Sequence, residues 1–189
     1  MRRKRIMKAI FVTTNEHKRR EVQEILGVAL GRADLDLPEI QALDPAEVAA
    51  EKARAAREAL RHTDLPVVVE DSGLMVNVWG GFPGALTKWV MQSVGNEGLL
   101  RMLAPEVDRS ATAVCVVALA EADGRVHAFR GEVPGTVADC PRGEGGFGYD
   151  PVFVPHWSSM TYAQMGEGKN LDSHRARAFR AVREWLEKA

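Results

Sequence analysis

The sequence KAIFVTTNEHKRREVQEILG, residues 8–27, decides the class of fold. Its first part, from Lys8 to Thr13, is apolar and rich in residues that favour β-strands. From Glu16 to Leu26 the apolar residues recur at helical spacing, and Gly27 follows as a stop signal. A strand, a loop and a helix in this order are typical of an α/β protein.

The segments that follow continue this alternation. A second strand is predicted over Ala33 to Leu37. Asp44 and Pro45 then supply an N-cap and a first-turn proline for a long helix that reaches about Leu60. The run from Val67 to Val69 is fully apolar and predicts a short buried strand.

The middle of the chain indicates an antiparallel section. Asp123-Gly124 is the strongest hairpin signal in the sequence. The other elements predicted here are a turn at Glu70-Asp71-Ser72-Gly73, an extended run from Leu74 to Val78, helices around Ala85 to Ser93 and Asn96 to Leu103, and the hairpin strands Thr112 to Leu119 and Arg125 to Val133.

The last third of the chain ends in a helix from Ser173 to Lys188, in which Phe179 and Val182 begin an apolar stripe that continues to Trp185 and Leu186. Residues 141–168 before it are rich in glycine and show little periodicity, as functional loops often do. We therefore predict one α/β domain over residues 1–189. It has a mixed β-sheet flanked by helices and two lobes around a central substrate cleft, and residues 1–7 form a flexible basic tail.

Composition excludes several classes of function. The 189 residues include 25 Lys plus Arg and 26 Asp plus Glu, so no overall charge attracts nucleic acid or a membrane surface. Cys115 and Cys140 lack metal-ligand spacing, and we expect reduced thiols in a cytoplasmic protein. No apolar run approaches the roughly 20 residues of a membrane span. The basic run from Arg2 to Arg5 is interpreted as a solvated tail, which a start at Met7 would remove.

The loop from Thr13 to Lys18 is the first candidate site. A loop between a strand and a helix directs backbone N–H groups and the positive helix end toward a ligand, and Thr13, Asn15 and Lys18 add donors for phosphate oxygens. The glycines of a Walker A loop are absent from this segment. A capped helix start with a surface lysine is the alternative.

Acidic residues form the second candidate. Glu47 and Glu51 lie one helical turn apart, and Glu70-Asp71 follows a buried strand, where a carboxylate is costly without a partner. A hard cation such as Mg²⁺, which takes oxygen ligands, would account for both features. The alternatives are a solvated helix face and an ordinary turn.

Two further candidates lie near the end of the chain. In the glycine-rich segment 143–151, Phe147 is suited to stack on a base and Asp150 to select it, although the aromatic residues could equally fill the core. At the start of the last helix, cationic Arg175 is electrostatically unfavourable, which indicates a compensating ligand. Ser173 as a simple cap is the alternative there.

Taken together and in this order, these segments resemble the inosine/xanthosine triphosphate pyrophosphatase family over nearly the whole chain. The matching segments besides residues 13–18 are Leu37-Pro38-Glu39-Ile40-Gln41, Glu47 with Lys52-Ala53, Val69-Glu70-Asp71-Ser72-Gly73-Leu74, Gly80-Gly81-Phe82-Pro83-Gly84 with Lys88-Trp89, Phe129-Arg130-Gly131, Gly146-Phe147-Gly148-Tyr149-Asp150-Pro151, and Lys169-Asn170 with Ser173-His174-Arg175. Each segment is weak alone, but the ordered set is specific.

The resemblance implies an elongated two-lobed α/β fold, dependence on Mg²⁺ and a homodimer. It implies that water attacks the α-phosphorus of ITP, dITP or XTP and releases a monophosphate and pyrophosphate. Asp71 would be the catalytic base, and Glu47, Glu70 and Asp71 would hold the metal. The substrate-binding residues would be Thr13, Asn15, Lys18 and Lys52 at the triphosphate, and Ser72, Phe147, Gly148, Tyr149, Asp150, Lys169, Ser173, His174 and Arg175 around the nucleoside.

The chain departs from the family pattern at three positions. Thr14 stands where glycine is usual in the first loop, Val48 where asparagine is common, and Gln164 where glutamate is common. None of the three removes a residue assigned to the chemistry.

Two other interpretations stay open at this point. A non-catalytic purine-nucleotide-binding or nucleic-acid-binding protein would also account for the basic start and the aromatic loop. A pyrophosphatase of modified pyrimidine nucleotides would share the metal chemistry but not Ser173-His174-Arg175. Turnover of inosine triphosphate with and without Mg²⁺ distinguishes the pyrophosphatase from the non-catalytic binding protein. A panel of purine and pyrimidine substrates distinguishes it from the pyrimidine pyrophosphatase.

Overall fold

The computed structural model describes residues 8–188. The strands are β1 (Ile10–Val12), β2 (Gly31–Ala33), β3 (Val67–Val76), β4 (Pro83–Gly84), β5 (Ser110–Ala120), β6 (Val126–Val137) and β7 (Phe153–Pro155). The helices are α1 (Glu16–Leu26), α2 (Pro45–Ala59), α3 (Thr87–Ser93), α4 (Gly95–Leu103), α5 (Tyr162–Met165) and α6 (His174–Lys188), with 3-10 helices at Asn77–Trp79 and Gly166–Leu171.

The described strands form one seven-stranded sheet in the order β2-β1-β3-β5-β6-β7, with β4 paired to β3. The pairs β1–β2 and β1–β3 are parallel, whereas β3–β5, β5–β6 and β6–β7 are antiparallel. The β5–β6 hairpin turns at Asp123-Gly124, as predicted. The predicted mixed α/β sheet flanked by helices is confirmed.

The long central strand β3 corrects one prediction. Residues 70–73 do not form a turn between two short strands, because β3 runs unbroken from Val67 to Val76 and pairs along its whole length with β5. Ser72 faces Cys115 and Asp71 faces Val116 across this ladder. The continuous partner strand outweighs the local turn signal of the sequence, and it fixes two acidic side chains in the middle of the sheet.

Helices cover both faces of the sheet. Ala49, Ala53 and Ala56 of α2 pack against Val67 and Val69 of β3. On the opposite face, α1 and α6 pack against β1 and β5, with contributions from Val22, Leu26, Phe179 and Val182. A third apolar cluster surrounds Leu74 and Val76 at the far end of β3. The polar residues 70–72 therefore lie between apolar clusters.

Helix ends follow their sequence signals closely. Asn15 caps α1, Gly27 ends it with φ of 67°, and Asp44 caps α2 through the backbone N–H of Ala46 at 2.9 Å. The strand predicted at Ala33 to Leu37 lies earlier, at Gly31–Ala33, because these residues are in register with β1. Residues 141–168, predicted as irregular, contain β7 and α5.

Two further expectations concern the chain as a whole. Among the described residues, no helix combines the length and apolar character needed to cross a bilayer. Cys115 is buried and Cys140 is exposed, and both are free thiols. The predicted basic tail, residues 1–7, lies outside the described part of the chain.

Candidate active site

A cavity of about 680 Å³ opens beside the middle of β3. It is lined by the β1–α1 loop, the segment 35–39, Lys52 of α2, residues 70–72 of β3, several residues between 85 and 92, the loop 147–150 and the first two residues of α6. Most of the residues predicted from the sequence meet here, although they come from distant parts of the chain.

The β1–α1 loop forms one end of the cavity. Asn15 Oδ1 accepts from the backbone N–H of Lys18 at 3.2 Å, and Thr13 Oγ1 accepts from the N–H of Asn15 at 3.1 Å. The helix-cap interpretation and the phosphate-cradle interpretation are therefore compatible. Because the positive end of α1 faces the cavity, this loop is suited to bind anions.

Lys52 and Glu39 form the neighbouring wall, and the sequence analysis gave Glu39 no role. Lys52 Nζ lies 2.7 Å from Glu39 Oε1 and 3.5 Å from the carbonyl oxygen of Glu70. Lys88 Nζ lies 3.8 Å from the other oxygen of Glu39. Glu39 belongs to the Leu37–Gln41 motif, but its irregular segment gave no indication of which way its side chain points. It is a site residue that the sequence analysis missed.

Among the buried acids of residues 8–188, Asp71 is the one without an ion pair or a hydrogen bond to its side chain. It is buried at the cavity wall, and its Oδ2 has no hydrogen-bond partner. Burial raises the pKa of Asp71 to about 6, against the opposing charges of Lys18 and Lys52. A carboxylate of this kind can accept a proton near neutral pH, as a general base must.

Glu70, next to Asp71, is fully engaged. Arg175 donates to it from Nε at 2.7 Å and from Nη2 at 3.1 Å, and Lys18 Nζ lies 2.8 Å from Oε1. The Cys115 thiol also donates to it at 3.3 Å. Although burial opposes ionisation, Arg175 and Lys18 hold the pKa of Glu70 well below its usual range. Glu70 therefore organises cations and has no oxygen free for a metal.

The predicted metal site of Glu47, Glu70 and Asp71 is not assembled. Glu47 is exposed on α2 and does not line the cavity, because a helix places residues five apart about 140° around its axis and Lys52 takes the cavity side. Within residues 8–188, no three metal-ligating side chains form a cluster. The carboxylates that line the cavity, apart from Asp71, are those of Asp36, Glu39, Glu70 and Asp150.

A second end of the cavity holds Phe147 and its charged neighbours. Asp150 Oδ2 accepts from the backbone N–H of Phe147 at 2.8 Å and from Lys169 Nζ at 2.5 Å. Lys169 also lies 2.7 Å from Glu21, which binds Arg175 at 2.5 Å. Lys169 is buried behind the lining residues. Glu21 was not predicted, because its position on α1 resembles a solvated helix face.

The positive charge of Arg175, for which the sequence indicated a compensating ligand, is compensated by side chains of the protein. Glu21 and Glu70 neutralise it, and Ser72 Oγ accepts from its Nη2 at 3.2 Å. Ser173 Oγ accepts from the N–H of Ala176 at 3.1 Å and so caps α6. The cap interpretation of Ser173 is confirmed, while Arg175 remains a lining residue of the cavity.

Tyr149 and His174 complete this end. The Tyr149 hydroxyl lies 3.3 Å from the Gly73 carbonyl oxygen and 3.2 Å from His174 Nε2. Burial and the charge of Arg175 lower the pKa of His174 well below its usual value, so its ring is neutral. Gly148 has φ of 63°, a backbone conformation that favours glycine.

The three departures from the family pattern have different surroundings. Thr14 is exposed at the cavity wall. Val48 is buried on α2. Gln164 Oε1 accepts from the N–H of Thr161 at 3.0 Å and completes a capping box, so its side chain stabilises the start of α5.

Fold and site together define an α/β protein with one cavity that joins an anion-binding helix end, an unpaired carboxylate and an aromatic platform. The chain belongs to the Ham1 family, whose sequence model matches residues 9–185. The predicted family resemblance is confirmed.

Relatives and solved structures agree with this assignment. The chain is 43% identical to a dITP/XTP pyrophosphatase of Methanopyrus kandleri over 95% of this chain and 96% of the relative. It is 41% identical to an inosine triphosphate pyrophosphatase of Tuber melanosporum, over 94% and 95% of the two chains. The Ham1 protein of Staphylococcus aureus superposes with a TM-score of 0.81 at 31% identity, over 96% and 99%.

Proposed function

We propose that the protein hydrolyses the non-standard purine nucleotides ITP, dITP and XTP to the nucleoside monophosphate and pyrophosphate. The observation that carries this proposal is Asp71, a buried acid with a free oxygen, between a phosphate-binding helix end and an aromatic platform in one cavity. The names of the relatives, dITP/XTP pyrophosphatase and inosine triphosphate pyrophosphatase, support the same substrate class.

The triphosphate occupies the end of the cavity near α1. Backbone N–H groups of the β1–α1 loop, with Thr13 and Asn15, bind its oxygens, and Lys18, Lys52 and Lys88 balance its charge. Lys52 and Lys88 also lie 2.7 Å and 3.8 Å from the carboxylate of Glu39. Phosphoryl transfer depends mainly on such positioning and charge neutralisation.

We also propose that Mg²⁺ binds in this cavity, with Asp71 as a ligand as predicted and with Glu39 in place of Glu47 and Glu70. Mg²⁺ is usually bound by one or two carboxylates together with substrate phosphates and waters. The free Oδ2 of Asp71 and the carboxylate of Glu39 line the same cavity, and Glu39 is close enough to raise the pKa of Asp71. When bound there with the triphosphate, the ion supplies Lewis-acid stabilisation of negative charge on the phosphates.

In this mechanism Asp71 accepts a proton from water as the water oxygen bonds to the α-phosphorus. The bond from the α-phosphorus to the oxygen that bridges the α- and β-phosphates breaks, and pyrophosphate leaves with that oxygen. Asp71 is suited to this role because it lines the cavity and its Oδ2 has no hydrogen-bond partner among the described residues.

The base occupies the other end, on Phe147. Stacking there accepts any purine. Selection falls to the polar groups around Asp150, Lys169, Ser173, His174 and Arg175. A 6-keto group accepts hydrogen bonds where the 6-amino group of adenine donates them, so a donor from this group that reaches the base favours deaminated purines over ATP.

We also propose that the protein is a cytoplasmic homodimer, as the family resemblance implies. The free thiols Cys115 and Cys140 support a reducing compartment. Light scattering after size-exclusion chromatography gives the mass directly. A mass of one chain would contradict the dimer and leave the catalytic proposal unaffected.

Incubation of the purified chain with ITP, dITP, XTP, GTP and ATP, with Mg²⁺ or with a chelator, tests the catalytic proposal. We expect ITP, dITP and XTP to yield monophosphate and pyrophosphate only with Mg²⁺, and ATP to be hydrolysed far more slowly. Release of orthophosphate would contradict the proposed reaction. Tight ITP binding without turnover would indicate the non-catalytic nucleotide-binding alternative.

A further inference from the structure

His17 packs on the aromatic residue of the cavity. It is the second residue of α1 and is exposed. Its ring centroid lies 5.2 Å from that of Phe147, with 23° between the two planes. Phe147 lines the cavity and His17 does not, so the imidazole supports Phe147 from outside the cavity.

The loop that carries Phe147 needs such support. Gly146 and Gly148 flank the aromatic residue and have φ of 74° and 63°, so its local sequence restricts the backbone little. The backbone N–H of Phe147 donates to Asp150, which anchors the main chain but not the ring. The plane of the ring is therefore set by side-chain neighbours.

Those neighbours differ in character. Lys169 Nζ and the Arg175 guanidinium carbon lie 5.2 Å and 5.6 Å from the centroid of the Phe147 ring, and both side chains are buried. Both cations attract the face of the ring, and both are held in place by ion pairs of their own. Among the described residues, the aromatic ring that stacks on Phe147 is that of His17.

We propose that His17 is a positioning residue for the purine base: its imidazole holds the Phe147 ring in the orientation that the base stacks on. The inference rests on the proposed function, in which Phe147 carries the base. His17 precedes Lys18 on α1, so the same helix turn that presents a lysine to the phosphates also supports the base platform. The two ends of the substrate are thereby held at a fixed separation.

This role predicts a particular pattern of kinetic effects. Loss of an aromatic pair corresponds to roughly a two- to tenfold rise in KM. The kcat should change little, because His17 does not touch the reacting atoms. Every purine triphosphate should be affected alike, since stacking is tolerant of base identity. A ligand without a base should bind unchanged.

The experiment compares His17→Ala and His17→Phe with the wild-type chain and with Gln23→Ala, an exposed residue on the same helix. The measured quantities are kcat and KM for ITP with Mg²⁺, and the inhibition constant of inorganic tripolyphosphate. We expect a higher KM only in His17→Ala, recovery of the wild-type KM in His17→Phe, and the same tripolyphosphate constant in all four proteins.

Three results would overturn the inference: an unchanged KM in His17→Ala, a lower KM because the base must displace the imidazole, or an equal loss of tripolyphosphate binding. The last would show a merely structural role at the helix start. If the wild-type chain does not hydrolyse ITP, the proposed function fails by itself. Dissociation constants for ITP and tripolyphosphate on the same four proteins then decide the role of His17.

Discussion

Lys18 Nζ lies 2.8 Å from Glu70 Oε1, which ties the phosphate-binding loop to a buried acid in the centre of the sheet. Arg175, at the start of the last helix, binds the same carboxylate through Nε and Nη2. One glutamate thus holds together the phosphate end and the base end of the cavity. Asp71, the next residue, is left with a free oxygen for chemistry.

Glu70→Gln should destabilise the fold by about 3 to 5 kcal/mol, because it leaves buried Arg175 and Lys18 without their shared counter-charge. Chemical denaturation at pH 7.5 measures this free energy. Glu51→Gln, at an exposed pair with Arg54, is the control and should cost less than about 1 kcal/mol. Equal effects of the two changes would contradict a structural role for Glu70.

The Glu70→Gln variant also tests how the stability of the protein depends on pH. Arg175 and Lys18 hold the pKa of Glu70 below its ordinary 4.5, although burial acts in the opposite direction. The stabilisation is therefore present above pH 4.5 and declines as the pH falls below it. We expect the stability difference between wild type and Glu70→Gln to shrink on acidification. A difference that grows toward low pH would reverse the assigned sign.

Asp71→Asn should stabilise the protein without metal or substrate. Burial raises the pKa of Asp71 from 3.8 to about 6, so the folded state binds its proton more tightly and stability falls as the pH rises through this window. Removing the charge should raise the free energy of unfolding by up to about 3 kcal/mol at pH 7.5 and by little at pH 4. Thermal melting in chelator-treated buffer tests this. A variant less stable than wild type at pH 7.5 would contradict the unpaired charge.

The same change should abolish turnover while preserving ITP binding. Loss of a positioned general base costs roughly 10² to 10⁴ in rate. Calorimetric titration with ITP gives the binding constant of the inactive variant, and single-turnover kinetics gives its rate. Near-normal turnover would remove Asp71 from the role of base.

Glu39→Gln should raise the Mg²⁺ concentration required for half-maximal activity, because the carboxylate lines the cavity with Asp71. Glu47→Gln should leave that concentration unchanged, since Glu47 is exposed outside the cavity lining. Magnesium titrations at saturating ITP compare the two variants. The opposite ranking would restore the metal role that the sequence alone assigned to Glu47.

The parts of the fold that were predictable are those with local causes. The caps at Asn15 and Asp44, the stop at Gly27 and the Asp123-Gly124 turn each depend on a few neighbouring residues, and each lies where the sequence places it. The continuity of β3 could not be found in this way. It depends on pairing with β5, a strand distant in sequence. Cys115 of β5, for example, donates to Glu70 of β3 across 45 positions.

The site shows the same division. The identity of its donors was predictable, because lysines at a helix start and acids on a buried strand are chemically unusual. Which acid pairs with which cation was not predictable. Glu21 meets Arg175 across 154 positions, and Glu39 meets Lys52 from an irregular segment. Side-chain direction in that segment follows from tertiary packing, so the sequence offered no reason to add Glu39 to the metal ligands that the family resemblance implies, Glu47 among them.

Hydrolysis in H₂¹⁸O tests the central claim most directly, that water activated by Asp71 attacks the α-phosphorus. Mass spectrometry of the products of ITP cleavage with Mg²⁺ locates the label. We predict one ¹⁸O atom in inosine monophosphate and none in pyrophosphate. Label in pyrophosphate or in released orthophosphate would contradict the account.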